Sequence, residues 1–243
     1  MSHHYIQFTD VHYGYETGHE VLRGVNFRIT HGEKVALLGR NGAGKSTLLW
    51  LTNGLLMPTS GEVNIGDVPL TKKTLPLIRQ SVGMVFQNAD DQLFMPTVEE
   101  DVAFGPMNMK LPKEEVTRRV LKALEDVGAT QLARRQPSTL SGGEKKRAAI
   151  ATVPVSMEPS ILVMDEPTSG LDAVGQRQLV DVVKGFGHTC LIATHDLALA
   201  SILCPRSMIL DGGRIVWDGR TENLLADSET LKHYNLEPLR LAL

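Results

Sequence analysis

Apolar and polar residues alternate near the start of the chain. Val25, Phe27 and Ile29 fall on one face, with Asn26 and Arg28 on the other, the period-two pattern of a half-buried strand. Residues 5–8 read the same way. The pattern then changes. Lys34-Val35-Ala36-Leu37-Leu38, Val82-Gly83-Met84-Val85-Phe86, Ile161-Leu162-Val163-Met164 and Leu191-Ile192-Ala193 are continuous apolar runs, as expected of strands buried on both faces of a parallel sheet. Pro58-Thr59-Ser60-Gly61 reads as a turn before the short strand Glu62-Val63-Asn64-Ile65, which Gly66-Asp67 ends. From residue 97 the period becomes helical. Thr97-Val98-Glu99-Glu100 is a capping box, and Val120, Leu121, Leu124 and Val127 recur at helical spacing until Gly128 stops them. A helix over 173–184 joins the last two buried runs. Residues 208–217 read as a hairpin turning at Gly212-Gly213.

These elements predict an α/β fold. A mostly parallel core with an N-terminal antiparallel β region takes residues 1–87 and 154–243, and an inserted helical lobe takes 88–153. A chain of 243 residues buries enough surface for one such domain. The net charge of −3 and the lack of a basic run argue against a nucleic-acid partner. No apolar run spans a bilayer, and Met1-Ser2-His3-His4-Tyr5 shows no export signal. Cys190 and Cys204 make no disulfide framework, and Cys190, inside an apolar run, reads as a buried small hydrophobe. A cytoplasmic protein is expected.

The chemistry begins after the first buried run. Gly39-Arg40-Asn41-Gly42-Ala43-Gly44-Lys45-Ser46 matches the phosphate-cradling glycine loop, and Thr47 opens the helical run that follows. Its glycines let backbone N–H groups converge on phosphate oxygens, and the helix N-terminus adds partial positive charge. Lys45 is expected on the β- and γ-phosphates of ATP and Ser46 on Mg²⁺. Met164-Asp165-Glu166, a buried strand ending in two acids, supplies a second part: Asp165 for Mg²⁺, Glu166 to polarise the attacking water. Leu140-Ser141-Gly142-Gly143 opens a helix and makes a second anion site. Two such sites in one chain suit two copies packed head to tail, each ATP lying between one copy's Lys45 loop and the other's Ser141 turn.

Leu140-Ser141-Gly142-Gly143 after a P-loop resembles the defining motif of ABC-type ATPases, and the likeness covers nearly the whole chain. It implies a P-loop NTPase core and further roles. Tyr15, rather than Tyr13, would stack on adenine. Gln87 would sense Mg²⁺ and γ-phosphate and link the core to the helical lobe. Ser169-Gly170-Leu171-Asp172 would cross the dimer interface, and His195 would contact γ-phosphate. Two positions depart from the family pattern. Glu144 stands where glutamine is usual, which puts a negative charge near nucleotide, with activity expected to survive. Pro154 falls inside the helix after Ser141, which is expected to kink or end near Val153.

The stretch from Asn88 to Phe94, with Pro96 to Pro106 after it, resembles the ATPase subunits of energy-coupling-factor transporters. Within these it looks most like the cobalt- and nickel-uptake ATPases. The resemblance implies an ATP-driven homodimer, peripheral on the cytoplasmic face of the membrane, working with an integral membrane coupling subunit and a substrate-binding membrane subunit. Leu93, Phe94 and Met95 read as an apolar docking patch for that partner. Alternatives are the ATPase of a vitamin importer, which pairs two unlike chains, and a soluble ABC ATPase outside transport.

Overall fold

The computed structural model describes residues 5–16 and 18–236, with only the main chain described at 154 and 155. His3, His4 and residues 237–243 lie outside the described residues. The chain divides into two compact units, Met1–Arg79 with His188–Leu243, and Gln80–Gly187.

In the first unit the alternating segments become an antiparallel sheet ordered Glu20–Ile29, Ile6–Gly14, Ser60–Ile65, Val68–Pro69. Register follows the apolar face. Ile6 lies opposite Ile29 on one side and Ile65 on the other, and Phe8 opposite Phe27 and Val63. The Phe8 and Phe27 rings stack at 4.6 Å. Val25, Phe27 and Ile29 are buried while Asn26 and Arg28 are exposed, as the period-two pattern requires.

The same unit holds the parallel strands. Lys34–Leu38 runs between Thr189–Ala193 and Arg206–Asp211, parallel to both, and Arg214–Arg220 returns antiparallel from the second of these. Val35, Ala36, Leu37 and Leu38 are wholly buried. Burial of each larger side chain contributes roughly 1.5–3 kcal/mol, so the strand that feeds the glycine loop is firmly held. Cys190 and Cys204 are buried, and burial pushes their thiols up, Cys204 to about 12.

In the second unit Val82–Val85 pairs in parallel with Ile161–Asp165, Val85 opposite Met164. Between these strands in sequence come the helices Val98–Asn108, Lys113–Asp126 and Gly142–Ile150, and Ala173–Gly185 follows them. Thr97 and Glu100 form the expected capping box, and Gly128, at φ +62°, ends the preceding helix as expected. Two expectations need correction. Leu121 does not join the buried stripe of Val120, Leu124 and Val127; it is 58% exposed, one residue round the helix from Val120. The α-helix after Ser141 ends at Ile150, earlier than expected, and opens into a π-helical turn over Ala151–Val155. Pro154 has no N–H to donate, and the wider turn carries the main chain past it.

Candidate active site

The glycine loop leaves the strand Lys34–Leu38 and enters the helix Lys45–Thr52. Gly39 backs onto the carbonyl of Leu210, and a Cβ there would collide with that oxygen. Gly44 caps the helix at φ +102°, a conformation L side chains avoid. The Lys45 side chain is buried and folds across its own loop. Its Nζ donates to the Gly39 carbonyl at 2.7 Å and the Arg40 carbonyl at 3.3 Å. The amine therefore lies inside the curve of its own loop.

Tyr15 reaches this helix. Its hydroxyl is 3.2 Å from Thr47 Oγ1, and its ring meets Tyr13 edge-on at 5.1 Å. Tyr13 is buried and Tyr15 is 40% exposed, so only Tyr15 offers a ring face. His195 follows the strand Thr189–Ala193 and is exposed. With Gly39, Arg40, Asn41, Asn235 and Leu236 it lines a cleft of about 350 Å³. The structure thus brings the loop and His195 together.

Within the second unit Asp165 ends the strand Ile161–Asp165 and Glu166 follows it, and both are buried. Glu166 takes φ +42°, a left-handed conformation that costs a non-glycine residue about 1–3 kcal/mol and recurs at functional sites. Gln87 lies two residues beyond Val85 on the neighbouring strand. Lys146 is only 2% exposed, and its Nζ donates to the carbonyls of Phe86 and Gln87, each at 2.9 Å. Burial pushes its ammonium down to about 8, although Asp165 and Glu166 pull it the other way.

Ser141 is the N-cap of Gly142–Ile150, as expected, with Gly142 and Gly143 forming its first turn. Gly143 comes close to the Gly170 carbonyl; a Cβ on it would lie 3.0 Å away. Asp172 caps the helix Ala173–Gly185 by accepting from Gly175 N at 2.8 Å, and its carboxylate is 3.9 Å from Arg147. The Ser141 turn and the Asp172 loop are therefore neighbours. The departure at Glu144 has a local use. Its carboxylate accepts from Ser141 N at 2.8 Å and Oγ at 2.9 Å, completing a capping box. Those bonds hold the carboxyl below the usual range.

The expected docking patch is partly corrected. Leu93 is buried, but Phe94 is 64% exposed and packs edge-on against Phe104 at 4.9 Å. Met107, one turn further along the helix, is 63% exposed. Asp101 holds the loop: its Oδ1 accepts from the Phe94 and Met95 amides, both at 3.0 Å, and burial raises its pKa.

Sequence reasoning missed Lys146 and the box at Glu144. Lys146 shares a helix face with buried Ala149 and Ile150, three and four residues on, which is the signal against a solvated lysine. The Ser-x-x-Glu spacing of residues 141–144 was likewise present.

Strand, glycine loop and helix, with two acids on a second strand end, define a P-loop nucleotide-binding protein. The model of the ABC transporter family matches residues 22–169. A protein of Geobacter sulfurreducens is 54% identical over 98% of this chain and 95% of its own length. The energy-coupling factor transporter ATP-binding protein EcfA of Methanocaldococcus jannaschii is 45% identical over 98% of this chain and 86% of its own. Among solved structures, CbiO1 of Clostridium perfringens, part of the ABC transporter complex CbiONQ, superimposes with TM-score 0.79 at 39% identity, covering 96% of this chain and 94% of that one. The ATP-binding cassette MJ0796, a dimer in a post-hydrolysis state with ADP and Pi, gives TM-score 0.81 at 29% identity over 89% of this chain and 98% of that one. The chain belongs to the ABC transporter family, as an ATP-hydrolysing subunit of the energy-coupling-factor type.

Proposed function

We propose that two copies of this chain close around two ATP molecules and power import of a transition metal ion, cobalt or nickel, through a membrane complex. Each nucleotide would lie between the Gly39-to-Thr47 stretch of one copy and the Ser141-Gly142-Gly143 turn of the other, with Tyr15 against the adenine and Asp172 at the interface. Both acids, the Ser141 turn and His195 occur in one chain, so a homodimer has two complete sites. Residues 88–153 form the helical lobe of this reading.

Ser46, Gln87 and Asp165 offer a hydroxyl, an amide oxygen and a carboxylate, hard oxygen donors of the kind Mg²⁺ accepts alongside phosphates. When bound, Mg²⁺ neutralises charge on the β- and γ-phosphoryl oxygens. Lys45 and the loop amides stabilise the charge that builds on the transferring group. Glu166 takes a proton from the attacking water, and His195 steadies the γ-phosphate.

Among the described residues no helix is long and apolar enough to cross a membrane. Attachment to the cytoplasmic face would then come through the membrane subunits. The observation that carries this part is the exposed Phe94–Phe104 pair, whose first member is seven residues beyond Gln87 in sequence. The test is co-purification from membranes. Phe94→Asp is expected to release the integral membrane partner while leaving ATP binding intact. Retention of that partner by Phe94→Asp, or capture of soluble partners alone by the parent, rejects the docking reading. Cobalt or nickel accumulation lost on deletion of the gene, with vitamin uptake unchanged, supports the cargo; the reverse rejects it.

A further inference from the structure

Two consecutive carbonyls, those of Phe86 and Gln87, converge on the Lys146 ammonium, both at 2.9 Å. A second side chain grips the same main chain. Gln92 Oε1 accepts from Phe86 N at 3.0 Å, while its Nε2 donates to the Ala149 carbonyl at 2.7 Å and to Thr152 Oγ1 at 2.6 Å. The first helix residues beyond the Ser141 turn add Lys145, whose Nζ is 2.6 Å from Asp90. The backbone from Phe86 to Gln92 is thus fastened along the helix Gly142–Ile150 and the turn after it. A buried ammonium is costly unless satisfied, and here it is satisfied by main chain that carries Gln87.

We propose that Lys146, with Gln92, is a positioning residue for ATP hydrolysis: it fixes the main chain of Phe86 and Gln87 to the helix begun by Ser141, so that the Gln87 side chain and the serine turn keep one relative placement. The Lys146 ammonium is engaged by the two carbonyls. It acts by setting where the Gln87 amide stands beside the strand end that bears Asp165 and Glu166, and loosening it costs turnover rather than ATP affinity. The inference rests on the reading of Gln87 as an active-site group.

Steady-state kinetics on the full chain with Lys146→Met, Gln87→Ala and the double variant test it. Lys146→Met is expected to lower kcat about tenfold with KM for ATP changed less than about twofold. Lys146→Gln, whose amide still donates toward the two carbonyls, is expected to recover most of the rate. The double variant should turn over no more slowly than the slower single variant, the signature of two residues acting through one group. Multiplying effects in the double variant, or a raised KM at unchanged kcat in Lys146→Met, overturn the inference. An unchanged kcat in Gln87→Ala rejects the Gln87 reading and the inference with it. Should Lys146→Met fail to fold, Gln92→Leu loosens the same main chain from its other side: the same kcat loss supports the clamp, and full turnover overturns it.

Discussion

Glu144 and Ser141 bind each other reciprocally: the carboxylate accepts from the serine amide and hydroxyl, and the serine oxygen accepts from the Glu144 amide at 3.4 Å. The serine side chain therefore starts out held in place by its own helix. Glutamine at position 144 can keep the box without the charge. Glu144→Gln is expected to fold as the parent does and to hydrolyse ATP at least as fast. Glu144→Ala removes the return bond and is expected to lower the unfolding midpoint by about a degree or two. Thermal unfolding and phosphate release measure both. A slower Glu144→Gln enzyme would contradict the expectation.

Glu166 sits buried and left-handed at its strand end. Glu166→Gln keeps shape and removes the base. ATP binding should persist, a dimer should accumulate with ATP, and hydrolysis should fall by roughly 10²–10⁴. Light scattering with ATP and single-turnover phosphate release report the two effects. Equal release by variant and parent would remove Glu166 from the base role.

Tyr15 turns its hydroxyl to Thr47 and leaves its ring 40% exposed. Tyr15→Phe keeps the ring, so its ATP affinity should match the parent. Tyr15→Ala should weaken binding by on the order of 1–3 kcal/mol, as for a stacked base. Titration calorimetry separates the two variants. Equal affinities would end the stacking assignment.

Asp101 pins the loop under Phe94 with one carboxylate oxygen, while the other, Oδ2, is buried without a hydrogen-bond partner. Burial raises its pKa in the folded protein. The stability that comes from binding its proton is present in full below the unfolded-chain value and is lost as pH rises through the folded value. Asn cannot ionise and shows no such loss. As pH rises above the unfolded-chain value of about 4, then, the unfolding midpoint of Asp101→Asn should gain on the parent. A gap that does not change with pH would show that folding leaves the proton affinity of Asp101 where the unfolded chain has it.

Much of this architecture is written in local patterns. The alternation at Val25, Phe27 and Ile29 gives a strand with one buried face, and the continuous run 34–38 gives a strand buried on both, because side-chain period and burial are set within a few residues. The Thr97 box and the Gly128 stop are local for the same reason. The site is legible less evenly. Motif spacing marks the glycine loop and the acids. The bond from Tyr15 to Thr47 spans 32 positions, and the grip of Lys146 on Gln87 spans 59. Such contacts depend on tertiary packing that neither partner's neighbours record. Leu121 and Leu93 fail in the opposite sense: an apolar residue beside a buried stripe reads like part of it, and one beside an exposed aromatic reads like its companion.

The interior placement of Cys190 and Cys204 has a practical consequence, since the sequence contains no other cysteine. With both thiols held protonated inside the fold, maleimide dyes should pass over the native protein. A cysteine engineered at an outward position such as Phe94 would then carry a fluorophore alone, and emission changes on mixing with membranes could be read without first stripping the wild-type thiols.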